Sequence, residues 1–202
     1  MPNLVVFKLG GSLLDLPDLP DRVRWATRQR PDRALIVVGG GPAVDVVRDQ
    51  DRRHELGDER SHWLAVEAME SNSRSLATRL PEAVLVANHQ QLRASVAILL
   101  PTSFLRRHET ESNAEVLPHS WDVTSDSIAA WVARFAGASE LVLLKSTSLS
   151  ERSTFEDAAA AKLLDAHFPR AAKHLPRVSW CNLREPEPRI VAWRSNSDAV
   201  PA

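Results

Sequence analysis

The sequence predicts an α/β domain on a largely parallel sheet, and three observations carry the prediction. Short apolar runs recur along the chain, glycine clusters close the first two, and the segments between them have helical signals. Continuous apolar runs of this length suit strands buried on both faces, as in a parallel sheet covered by helices. At 202 residues, with no Pro/Gly/Ser-rich linker or internal repeat, one domain over 1–202 is expected.

In chain order, Leu4–Leu9 (LVVFKL) is the first strand and ends at Gly10-Gly11. Ala34–Val38 is the second and ends at Gly39-Gly40-Gly41-Pro42, where proline suits the first turn of the following helix. The stretch 58–80 is the longest helix, with His62, Val66, Met69, Ser73, Leu76 and Leu80 on one core-facing stripe and Pro81 as its stop. Ala83–Ala87 and Val96–Leu100 are the next strands, and the polar stretch 106–120 is expected to be a surface loop. Thr124 or Ser125 can cap a helix whose Ile128, Trp131, Val132 and Phe135 share an apolar face, closed by Gly137. Leu141–Leu144 is a further strand. An Ala-rich helix near 156–166, short strands at Val178–Asn182 and Arg189–Trp193, and a polar tail complete the chain.

Composition narrows the function classes. Hydrophobic residues at 44% and charged ones at 25% match globular averages, which excludes wholesale disorder. The 25 Lys plus Arg nearly cancel 26 Asp plus Glu, so charge gives no reason to expect nucleic acid or an anionic membrane as partner. Cys181 is the single cysteine, which excludes an internal disulfide framework and a multi-Cys zinc site. No apolar run approaches the roughly 20 residues of a membrane helix. The N-terminus lacks the basic start and cleavage site of a signal peptide, so a cytoplasmic location is expected.

Chemistry is expected at the carboxyl ends of the strands, where ligands collect in an open parallel sheet. Glycines there allow backbone N–H groups close to an anion, although any tight strand–helix turn also favours glycine. Lys8 adds weight to the anion reading. An ammonium inside an apolar strand is costly to bury unpaired, so it is either an edge lysine facing solvent or part of a phosphate-handling strand end. KLGGS, with Gly10, Gly11 and Ser12 beside Lys8, favours the second. Asp126 falls in a first helical turn, where the macrodipole favours a carboxylate even if it has no other task, and Asp122 is expected in a turn. The seven histidines show no metalloprotease-type pair, so no metal site is expected. G-x-S-x-G, G-x-x-x-x-G-K-[ST] and G-x-G-x-x-G are absent, and Cys181 in an apolar strand is expected to be inert packing.

K-x-GGS after the first strand, GGG after the second and a helix opening with T-S-D-S together resemble the amino acid kinase family, which includes aspartate, acetylglutamate and uridylate kinases. KLGGSLL (8–14), VVGGGPAVDVVR (37–48), SHWLAVEAM (61–69), ILLPTSFL (98–105), HSWDVTSDSIAAWVA (119–133) and DAHFP (165–169) extend the likeness over most of the chain. They are similar to the family's methanofuran-pathway branch, which phosphorylates an aminomethylfuran phosphate to its diphosphate. The resemblance implies a three-layer αβα sandwich, shortened here towards the C-terminus. It implies that Lys8 neutralises the transferring phosphoryl group and that Asp126 orients lysine. Gly10, Gly11 and Ser12 would meet the donor phosphates, and Gly39, Gly40, Gly41 and Ser125 the acceptor. ATP with Mg2+ and a small phosphorylated acceptor are the implied partners, without nucleic acid or membrane, and a homo-oligomer is expected.

Two family features are missing. LVLLKSTSLS stands where T-D-V-D-G-[VI]-Y is usual, and no G-G-M-x-x-K segment supplies a second lysine. Lys145 either marks the surface end of that strand or replaces part of the missing motif as a mobile charge on the donor phosphates. Two readings therefore stay open: a small-molecule kinase, and a non-catalytic binding or assembly protein on the same fold.

Overall fold

Each apolar run becomes a strand of one sheet. β1 (Leu4–Leu9), β2 (Arg33–Val38), β3 (Val84–Val86), β4 (Val96–Leu99), β5 (Glu140–Lys145), β6 (Val178–Asn182) and β7 (Val191–Trp193) lie in the order β3-β4-β2-β1-β5-β6-β7. Neighbours are parallel except β7, which pairs antiparallel with β6. The computed structural model describes residues 3–91, 95–111, 116–150 and 152–193, and the polar tail after Trp193 lies outside them. The helices are α1 (Leu19–Arg28), α2 (Gly41–His54), α3 (Asp58–Arg79), α4 (Pro101–Glu111), α5 (Ser125–Phe135), α6 (Phe155–Ala160) and α7 (Phe168–Ala172).

Strand parity divides the interior into two cores. Val5, Phe7 and Leu9 of β1 face one side with Val142 and Leu144 of β5, where α1 covers them with Leu19, Val23 and Ala26. Leu4 and Val6 face the other side with Leu141 and Leu143, against Ile128, Trp131 and Val132 of α5 and Val66 and Met69 of α3. Both faces being apolar explains why these strands read as unbroken runs. The six-residue stripe foreseen on α3 is buried throughout.

Three expectations are corrected. Residues 106–111 are not loop but the second half of α4, because Pro101 opens a helix that buries Phe104, Leu105 and His108 on one side. The Ala-rich helix stops early. A capping box between Thr154 and Asp157 starts α6, and Lys162 then turns the chain with a positive φ of 58°. The last strand begins at Val191, not Arg189, and α1 adds a helix whose Leu19, Val23 and Ala26 recur at helical spacing.

The chain places β2, β4 and β3 on one flank of β1 before crossing to β5, β6 and β7 on the other. β1 and β5 therefore flank the point where the strand order reverses, and a crevice opens there beyond the carboxyl ends of strands.

Candidate active site: a buried Lys–Asp–Lys centre at the strand switch

The parity that sorts the core also places the charges. Lys8 follows Leu4 and Val6 on the α5 side of β1, and Lys145 follows Leu141 and Leu143 on the α5 side of β5. Lys8 pairs in register with Leu143, so Lys145 lies two residues further along, roughly 7 Å at the usual strand rise. One side chain spans that gap. Asp126 takes Lys8 Nζ on Oδ1 at 2.8 Å and Lys145 Nζ on both oxygens, at 3.0 Å and 2.8 Å. Lys145 also donates to the Leu163 carbonyl at 2.7 Å, a group presented by the turn that ends α6.

Lys8 is not an edge lysine facing solvent. Its strand is central and it is 4% exposed, as is Asp126. Burial alone would push the Asp126 carboxyl up, but Lys8 and Lys145 outweigh it and hold it below its ordinary range. Burial, helped by repulsion from Lys8, pushes the Lys145 ammonium down to about 8 against the pull of Asp126 and Asp165. Two lysines thus meet one carboxylate at the strand ends. Lys145 is anchored instead of mobile.

Asp126 is held by its helix start. Thr124 is the N-cap and accepts from the Asp126 amide, as foreseen. Most of the hydrogen bonding comes from Asp165, which sequence reasoning did not single out as a site residue. Its carboxylate accepts from the Thr124 amide (2.9 Å) and hydroxyl (2.8 Å) and from the Ser127 amide (3.0 Å) and hydroxyl (2.5 Å). An anion across the first turn satisfies the orphan amides and favours the helix dipole. Asp122 lies in a turn, as expected.

The two glycine turns meet backbone to backbone. A Cβ on Gly11 would lie 2.2 Å from the Gly41 amide nitrogen, and Gly41 has a φ of +54°. Gly10 and Gly39 donate their amides to Leu144 and Leu9 of the sheet, so they permit close approach without offering a free donor. Gly11, Ser12, Gly40, Gly41 and Ser125 line a cavity of about 360 Å3 between the starts of α2 and α5. Asn72 of α3, a second unforeseen residue, donates to the Gly39 and Gly40 carbonyls at 2.9 and 2.8 Å and so fixes that turn. Further out, Arg48 stacks over Trp121 at 4.9 Å, and Trp121 donates to Asp51.

Ser12 and Ser146 are hydrogen bonded at 2.8 Å across the β1 and β5 ends. On the β6 side, Ser148, Trp180, Asn182, Glu185 and Trp193 border a second cavity of about 680 Å3. Cys181 is buried, and burial pushes its thiol up to about 11, which fits packing. No helix among the described residues is long and apolar enough to cross a membrane.

The largely parallel sheet with its crossed strand order and covering helices is the amino acid kinase fold, which the chain has. Solved structures of uridylate kinase from Archaeoglobus fulgidus (TM-score 0.60, 14% identity, covering 98% of this chain and 93% of that one) and of UMP kinase from Ureaplasma parvum (0.61, 16%, 92% of each) share it. UMP kinase from Bacillus anthracis aligns equally well, with a TM-score of 0.59 and 14% identity over 92% of this chain and 89% of that one. Among curated proteins, the chain is similar to [5-(aminomethyl)furan-3-yl]methyl phosphate kinase of Methanocaldococcus jannaschii, 24% identical over 143 residues. That match takes in 68% of this chain and spans 63% of the relative's length. No protein-family model matches the sequence.

Proposed function

We propose that the chain is a small-molecule kinase that moves the γ-phosphoryl group of ATP onto the phosphate of a small phosphomonoester. The acceptor we assign is [5-(aminomethyl)furan-3-yl]methyl phosphate, giving its diphosphate and ADP. The observation that carries this reading is the Lys8–Asp126–Lys145 centre, two lysine ammoniums held beside a glycine-lined cavity. Phosphoryl transfer needs no covalent nucleophile from the protein, only positioning and charge stabilisation on the transferring oxygens. Lys8 and Lys145 serve that stabilisation, while Asp126 holds both and contacts neither substrate.

The acceptor phosphate would lie against Gly40 and Gly41 at the α2 start, where a helix N-terminus favours an anion. Val66, Met69 and Ile128 give the cavity an apolar wall for a ring, and Asp45 and Asp58 suit an acceptor that also carries an amine. The cavity beyond Ser146, with Trp180 and Trp193, has room for the nucleoside of the donor. Both Asp126 oxygens are engaged by lysine. The magnesium ion of ATP would therefore be held by phosphate oxygens and water, as part of the substrate.

The non-catalytic reading draws support from the strand end at 145–150, which lacks the family's aspartates and glycine. One experiment separates the two. ADP release is measured with ATP, magnesium and the aminomethylfuran phosphate, and with UMP and simple phosphomonoesters as comparators. Turnover that prefers the furan acceptor supports the assignment. Failure to bind ATP at millimolar concentration would move the chain to the binding-protein class.

A further inference from the structure

A group of side chains beside the acceptor cavity has no task in phosphoryl transfer. His62 of α3, Glu109 of α4 and His119 of the turn before α5 bring one ligand atom each within 4.8 Å of one another. Two of these side chains have buried polar atoms without a hydrogen-bond partner among the described residues: Nε2 of His62 and Oε1 of Glu109. Buried polar atoms usually have a partner, and these two belong to one cluster of ligand-type side chains. His119 is already oriented. Its Nδ1 lies 2.5 Å from Glu59, and its Nε2 faces Glu109 Oε2 at 3.3 Å. A ring that donates Nδ1–H to one carboxylate presents a bare Nε2 lone pair to the other, two acceptors face to face.

We propose that His62, His119 and Glu109 bind a divalent ion of the zinc class, with the His119–Glu59 contact as the outer support. The donor set, two imidazoles and a carboxylate, is the set of three-ligand zinc sites that keep a fourth position open. An imidazole backed by a carboxylate is the usual way a ligand histidine is held in the right tautomer. The His62 and His119 rings stack at 4.0 Å and 10°, so closing the set on an ion would require one ring to turn about its side-chain torsions. The ion would pin α3, α4 and the turn before α5 together. Ser61, His62, Ser120 and Trp121, all within two residues of His62 or His119, line the acceptor cavity, so loading would stiffen that wall.

The linear spacing conceals the group, because its members are far apart in sequence and on three separate segments. It is independent of the kinase assignment and is tested without ATP or magnesium. Chelator-stripped wild type is titrated with Co2+ as optical probe and with Zn2+ by calorimetry, and thermal unfolding is followed in parallel. The expected result is one equivalent bound, the visible d–d absorption of a four-coordinate ion, and a melting temperature raised by on the order of 5 °C at saturation. His62→Ala and Glu109→Gln should abolish the band. Glu59→Gln, at an exposed position that spares the core, should bind roughly 10–100-fold more weakly. His54→Ala should bind as wild type does. No stoichiometric binding, or His62→Ala and Glu59→Gln both binding like wild type while folded, overturns the proposal.

Discussion

Lys8 and Lys145 differ in what their removal should do. On the proposed kinase reading Lys8→Ala deletes a charge that stabilises the transition state, so kcat should fall by about a hundredfold, on the order of 3 kcal/mol, with KM little changed. Steady-state kinetics check this, and a variant within a few-fold of wild type refutes the role. Asp126→Asn tests the carboxylate that holds both. The helix cap survives in that variant, since Thr124 and Asp165 remain. The cap alone would suggest that the fold is unaffected. Yet two buried ammoniums lose their counter-charge, so unfolding by denaturant should show a loss of about 3–5 kcal/mol together with lost activity. Lys145 carries a pH signature. With its ammonium at about 8, kcat should fall as pH rises through that value, because the neutral amine no longer stabilises phosphoryl oxygens. Lys145→Arg, ionised throughout, should remove that limb from the pH–rate profile; an unchanged limb assigns it elsewhere. Stability moves the opposite way. The folded value is below the ordinary 10.5, so the charged form is disfavoured in the folded state below about 8, and this penalty is relieved as pH rises between the two.

At the scale of elements, the start of α5 decides whether the centre is assembled. Asp165, from the segment between α6 and α7, ties down its first turn through four hydrogen bonds. Asp165→Ala should therefore cost about 2 kcal/mol or more and lower activity without touching either substrate, read by thermal unfolding beside kcat. Wild-type stability in that variant would show that Thr124 suffices. Much of this element was legible beforehand: Thr124 as cap, Asp126 in the first turn and the apolar face from Ile128 to Phe135 all follow from residue type and spacing. Asp165 was not legible as a partner, because a carboxylate that caps a helix from a distant segment leaves no local pattern. Lys145 was partly legible. As a strand-end lysine it stood out, but its anchoring to Asp126 depends on strand parity, and a strand buried on both faces shows no alternation from which to read parity. The loop expected at 106–111 failed for a related reason: the apolar anchors of α4 sit at its start, and its second half is polar enough to read as loop.

For the whole molecule, the order of strands converts these local facts into a site. Because β1 lies between β2 and β5, both glycine turns, both lysines and the starts of α2 and α5 reach one edge of the sheet. Alternating strands and helices with glycine at the strand ends made that edge foreseeable; which strands neighbour which was not, since parallel partners are joined only through long crossovers. On the proposed reading this edge transfers a phosphoryl group from ATP to a phosphate. Phosphorus NMR of a reaction containing the protein, ATP, magnesium and [5-(aminomethyl)furan-3-yl]methyl phosphate reads that event directly. Growth of a new diphosphate ester signal in step with ADP, abolished by Lys8→Ala in a folded protein, is the predicted result. An unchanged acceptor resonance beside intact ATP, or equal product from the Lys8→Ala variant, would contradict it.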